Sequence, residues 1–201
     1  ETASRATAKF SKVAANWLTR GNLERRIGQN QQSVESLKRA LVLDPKTPGA
    51  RQIIINSFVD QEQYDSAFVA IHEAWKAGED GNPLGVTALT VGNRMYKKAV
   101  EKADKPAAEF LRAMTFLTLA DSLTKDPTTQ GNAKLLTGVS MLYLVQSQLA
   151  EAQKTKNCEQ SKQIQSTLGD ANMLVMAGGR ALPDAARQAM QSILTLQGAA
   201  E

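Results

Sequence analysis

Residues 17–45 read WLTRGNLERRIGQNQQSVESLKRALVLDP, and this stretch decides the fold. It holds one helix-sized segment, a break near Gly28, a second helix-sized segment, and then Asp44-Pro45. Pro45 has no backbone N–H and disfavours helix at Asp44, so the second segment must end there. Thirty-four residues after Trp17 the same design begins again in a different sequence. A repeat of that length marks helical hairpins that bury their apolar faces only by stacking on one another.

Working outward, Trp17, Gly21, Leu37 and Pro45 stand at the spacing W-x2-L-G-x2-Y…A-x3-F…P,. Ala40-Leu41 precedes Asp44-Pro45 as that pattern requires. At these residues the chain resembles the tetratricopeptide repeat family. It departs from the pattern at Arg20, Glu24 and Ser33, where Leu, Tyr and Ala are usual. One register later Phe58 takes the aromatic slot, Ala67 and Ile71 the A-x3-F slot, and Tyr64 and Ala74 fit the second helix. There Ile55 replaces the Gly and Arg51 the Trp, so looser packing is expected. A third unit restores Val91-Gly92-x2-Met95. The resemblance is clearest over residues 14–81 and degrades over 85–179.

The remaining segments are helical on their own evidence. Residues from about Ser4, a candidate N-cap, carry Phe10 and Val13 at helical spacing with Trp17, and read as an upstream extension of the first helix; residues 1–5 read as a frayed terminus. Gly78 to Gly85 reads as a loop. Helices follow from about Leu84 to Ala103, from Ala107 to Leu123 after Pro106, from Gln130 to about Lys154, from a cap at Asn157 to about Ala177, and from Pro183 to about Leu196. The apolar faces hold Phe110, Leu111, Met114 and Leu117, then Leu135, Val139, Leu142 and Tyr143 with Gly138 at a close crossing, then Ile164, Leu168, Met173 and Leu174. Asp126-Pro127 reads as a unit end like Asp44-Pro45. The expected architecture is all-α: one domain over 1–201, a right-handed superhelical stack of antiparallel hairpins, with two regular repeats over 14–81, two longer hairpins over 82–179 and a capping helix over 183–197.

Composition agrees. Hydrophobic residues make up 42% and aromatic ones 5% of 201 residues, a helix-favouring balance against disorder and against β-structure. Net charge is +4. The densest basic cluster, Arg20, Arg25 and Arg26, includes Glu24 and lacks the stripe with interleaved aromatics of a nucleic-acid binder, so no nucleic acid is expected. No apolar run reaches membrane-spanning length. A chain opening on Glu1 leads to the expectation of a processed N-terminus, with cytoplasmic and extracytoplasmic settings both open.

Chemistry has little to stand on. His72 is the only histidine, which removes His-based triads and zinc sites and leaves it a packing or solvated residue,. Cys158 is the only cysteine and forms no internal disulfide; near a helix start its thiolate would gain from the dipole, but no second Cys or His accompanies it. Gly78, Gly81 and Gly85 are not followed by Gly-Lys-Ser/Thr, so no phosphate loop forms. No cofactor, metal or catalytic residue is expected.

Binding is better supplied. Asn22 follows Gly21, Asn56 lies in the same slot one repeat later, and Asn93 follows Gly92. In the tetratricopeptide family that slot faces the concave groove, so the resemblance implies an asparagine ladder, whose amides both donate and accept toward an extended backbone. Arg25, Arg26, Arg94 and Lys97 stand close by and favour an acidic or carboxylate-bearing segment. Leu18 and Ile53 occupy positions where the family's carboxylate clamp has Lys and Asn, so that clamp is not expected. The expectation is a non-enzymatic adaptor that holds a peptide or protein segment. A bundle enclosing a small or lipidic ligand, or a self-assembly module forming homo-oligomers, are the alternatives. Trp17, Phe58, Tyr143 and Trp75 read as packing residues.

Overall fold

The computed structural model describes residues 2–102, 107–155, 158–180 and 183–200, which form helices and connections without a strand. The chain divides into two compact units, Glu1–Glu79 and Asp80–Glu201. The proposed start at Pro106 and cap at Asn157 lie outside the described residues.

The first unit contains α1 (Thr2–Lys9), α2 (Ala14–Arg26), α3 (Asn30–Leu43), α4 (Ala50–Asp60) and α5 (Tyr64–Lys76). The turn after α2 follows from Gly28, whose φ of 80° is left-handed and free of penalty only for glycine,. Gly28 N donates to Arg25 O at 2.9 Å and Gln29 N to Glu24 O at 2.8 Å, satisfying carbonyls that the helix end leaves unpaired,. The same paired bonds recur one repeat on, from Glu62 N to Val59 O and from Gln63 N to Phe58 O, and close α5 from Gly78 N and Glu79 N. Glu62 therefore sits in the slot of Gly28 with a φ of 56°, a non-glycine residue held left-handed by the repeat geometry,.

α2 packs on α3, α4 on α5, and the second hairpin lies against both helices of the first. A Cβ at Gly21 would come 2.6 Å from the Leu37 side chain, so the small residue sets the α2–α3 distance. Leu37, Ile55 and Ile71 are fully buried. α3 stops at Leu43 as Pro45 demands, with Asp44 extended and its Oδ1 accepting from Lys46 N at 2.9 Å.

Five expectations fail here. α1 is a separate helix from Thr2, not an extension of α2 or a frayed end. Ser4 is inside α1 rather than capping it, its carbonyl accepting from the Thr7 hydroxyl. Phe10 and Val13 lie between the helices and are exposed, because the chain turns there instead of continuing the helical row. Trp17 is only half-buried: its indole N–H donates to Ser11 O at 2.8 Å and the Arg20 and Arg39 guanidiniums lie 5.5 and 5.8 Å from its ring. Trp75 is 50% exposed rather than packed.

The second unit contains α6 (Gly81–Glu101), α7 (Ala107–Leu123), α8 (Pro127–Thr155), α9 (Cys158–Gly178) and α10 (Pro183–Ala200). Its glycines report antiparallel pairing. Along α6, Gly81, Gly85 and Gly92 abut Leu123, then Ala120 and Thr124, then Ala113 and Leu117 of α7. Along α8 and α9, Gly138 abuts Ala171 and Val175, while Gly178 abuts Gly131 and Leu135. α8 packs on α6 and α7, and α10 covers α9 and α8 through Ala186, Ala189, Ile193 and Leu196. The core joins these to Leu135, Leu142, Ile164 and Leu168. Met173 and Leu111 are exposed, contrary to their expected places in apolar faces.

Residues 81–85 are helical, not a loop, because Asp80 caps α6 by accepting from Asn82 N,. Asp126-Pro127 likewise opens α8 instead of closing α7 only: Asp126 Oδ2 accepts from the Thr129 N–H and hydroxyl, both at 2.7 Å, and Pro127 takes the first helical position,. The Thr129 bonds hold the Asp126 carboxyl below the usual carboxylate range. A depressed pKa stabilises the fold above the unfolded value, about 4, and that stabilisation fades as pH falls through the folded value. Asp126→Ala is therefore expected to lower the melting temperature more at pH 6 than at pH 2.5; an equal deficit at both pH values would contradict the cap.

Candidate binding groove

Three alternate helices of the second unit, α6, α8 and α10, present one long stripe each to a shared cavity of ≈ 520 Å³. α8 supplies the floor through Leu135, Leu136, Val139 and Leu142, recurring every three or four residues as one helix face requires,. α10 forms one bank with Ala185, Gln188, Ala189 and Ser192 at the same spacing. α6 forms the other with Asn93, Tyr96 and Lys97. Lys97 is the single charged side chain of the lining, so the cavity is apolar below, polar at its edge and mildly positive.

Aromatic packing stiffens the floor. Phe110 of α7 is fully buried and stacks on Tyr143 at 4.8 Å with an interplanar angle of 11°. Tyr96 meets Phe110 at 6.1 Å and Tyr143 at 6.3 Å. Burial pushes the Tyr96 hydroxyl up to about 12, with Tyr143 adding to the shift by its charge and its hydrogen bond. Tyr96 therefore remains a neutral hydroxyl at every ordinary pH. A rigid aromatic with a polar tip supplies contact area at little cost in lost motion. Tyr143 and Phe58 are half-buried and line cavities, so neither is the plain core residue expected.

The seven residues expected to bind separate into groups. Asn93 and Lys97 both line this cavity, while Arg94 is exposed outside its lining. In the first unit Asn22 is exposed on α2, and Asn56 on α4 is half-buried with its Oδ1 accepting from Gln52 Nε2 at 3.2 Å. Arg25 is engaged by Asp60 at 2.8 Å, tying α2 to α4, and Arg26 is exposed.

The motif departures proved informative. Glu24, in the slot of a Tyr, is 8% exposed and accepts from Ser36 Oγ at 2.6 Å and Arg20 Nε at 2.7 Å. Arg20 also donates to the buried Thr7 hydroxyl at 3.2 Å, and Ser33 and Ser57 hydroxyls meet at 3.4 Å. Two of the residues that break the pattern, Arg20 and Glu24, thus form a polar network joining α1, α2 and α3, and the third, Ser33, meets α4. Tyr96, Gln146 and the α10 bank were not foreseen; the signal was the three-and-four spacing of Gln188 and Ser192 on the expected capping helix.

His72 packs edge-on to Phe68 at 4.8 Å, a packing role. Among the described residues no group of three or more His, Cys, Asp or Glu is placed to hold a metal, and no helix is long and apolar enough to cross a membrane.

No family model and no curated protein matches the chain. Among solved structures, a crystal structure of YrrB, described as a TPR protein with an unusual peptide-binding site, is similar at 17% identity and a TM-score of 0.47, over 98% of this chain and 93% of that one. The hairpin architecture of each unit rests on the helix contacts above.

Proposed function

We propose that this chain is a binding module that holds a segment of another protein, without catalysis, in the α6–α8–α10 groove. One observation carries the reading: an apolar floor on α8, stiffened by stacked aromatics and ending at Gln146, lies between banks bearing Asn93 and Gln188, and these three amides can pair with an extended backbone,. Lys97, with no carboxylate in the lining, favours segments that carry an acidic group,. In the first unit, Asn22 and Asn56 on α2 and α4 are the corresponding candidates.

The test uses a random linear peptide library selected on the full chain. Ser192 is exposed at the groove edge, so Ser192→Trp should fill the groove while leaving the fold intact. Selected peptides are expected to lose at least tenfold in affinity by calorimetry on Ser192→Trp, with an unchanged thermal melt. Asn22→Ala with Asn56→Ala shows whether the first unit contributes. Selected peptides that bind Ser192→Trp as tightly as the parent chain would place the site elsewhere. A co-purified lipid displaced by Ser192→Trp would favour the enclosed-ligand alternative.

A further inference from the structure

We propose that the first unit carries a second docking surface, shaped for an amphipathic helix of another protein with two basic side chains about two turns apart. A cavity of ≈ 430 Å³ lies on the face made by α3 and α5, the second helices of the two hairpins, with α4 beneath. Ile54 and the half-buried Phe58 floor it, and Leu41 and Val69 stand on its banks. Val69 is 54% exposed, and Val42, one turn beyond Lys38 on α3, is 79% exposed.

The charges on the two banks are segregated. Asp65, Val69 and Glu73 form one row along α5 at four-residue steps, which sets the two carboxylates about 12 Å apart,. Among the described residues neither carboxylate has an ion-pair partner. Lys38 on the opposite bank is also without one, whereas Arg51 is already held by Pro45 O at 2.9 Å and Glu79 at 3.5 Å. The face therefore asks for cations along one flank of its occupant and an acidic group on the other, which fixes orientation.

A helix fits better than an extended strand. An extended segment needs partners for its backbone, and this lining contains no Asn or Gln amide to supply them,. A helix satisfies its own backbone and offers apolar side chains to the floor with charges on its flanks. Two basic residues seven or eight positions apart on that helix would reach Asp65 and Glu73 together.

A displayed library of helical miniproteins with randomised faces, selected on the full chain, tests this. Enriched members are expected to carry Lys or Arg at seven- or eight-residue spacing. They should lose at least tenfold in affinity on Asp65→Lys/Glu73→Lys, lose part of it on Glu73→Lys alone, and recover when their basic residues are exchanged for Glu. The same binders should be indifferent to Ser192→Trp, which separates this surface from the groove of the second unit. Circular dichroism checks that each variant is folded. Lack of enrichment, or binders indifferent to the Asp65 and Glu73 reversals, would overturn the proposal. So would a dimer in light scattering that dissociates on those reversals, since a second copy would then cover the face.

Discussion

Gly178→Ala is expected to destabilise the chain by about 3 kcal/mol, an overpacking cost at a site where the opposing atoms are backbone. A Cβ there would lie 2.4 Å from Gly131 O and 2.7 Å from Leu135 N, so α8 and α9 would have to separate. For a chain of this size the melting temperature should fall by roughly 6–12 °C. Gly169 provides the control in the same helix. Nothing lies within 4 Å of its Cβ position, and it is exposed. Gly169→Ala should therefore add about 1 kcal/mol, since alanine loses less backbone freedom on folding. Thermal melts of the two variants should move in opposite directions; movement in the same direction would refute the close α8–α9 contact.

The second large effect concerns Glu24. Removing its carboxylate strands the Ser36 hydroxyl and leaves the Arg20 guanidinium with a hydrogen bond to Thr7 and the Trp17 ring. Breaking a buried pair from one side costs 3–5 kcal/mol, reduced here because the Arg20 side chain is 31% exposed, so Glu24→Ala is expected to lose about 2–3 kcal/mol in urea unfolding,. Replacing the whole cluster is a different matter. Arg20→Met/Glu24→Leu/Ser36→Ala removes donors and acceptor together and substitutes apolar volume, so it should fall within about 1 kcal/mol of the unmodified chain. A triple variant less stable than Glu24→Ala would mean that the network does more than satisfy itself, and a single variant within about 0.5 kcal/mol of the parent would remove it as a structural element.

Particular residues show how much was legible beforehand. Gly28 and Pro45 act locally, through backbone geometry and a missing N–H, so the break between α2 and α3 and the end of α3 could be read directly. Gly138 announced a close helix crossing by its small size, and it does face backbone and side chain of the neighbouring helix. Asp126-Pro127 misled because the same dipeptide both ends one helix and opens the next; the Thr129 bonds that decide the matter come from residues beyond the dipeptide. Trp17 misled because an aromatic at a motif position reads as core, whereas two guanidiniums from different helices hold it near the surface. Of the cavity lining, Asn93 was named from its repeat position and Lys97 as a basic neighbour of Asn93, while Tyr96, Tyr143 and the α10 bank were not named for binding.

The sequence by itself determined that the chain is helical, where most helices lie, and that the first hairpins repeat every 34 residues, because helix periodicity and turn chemistry act over a few neighbouring residues,. Only the tertiary structure decided which apolar stripes become core and which line a cavity. A stripe on α8 looks the same in sequence whether it meets a partner helix or faces open space, and the outcome depends on how α6 and α10 are placed beside it. The same holds for Glu24: its buried carboxylate is tolerable only because α1 and α3 bring Thr7 and Ser36 to the Arg20–Glu24 pair, an arrangement that no local rule specifies,.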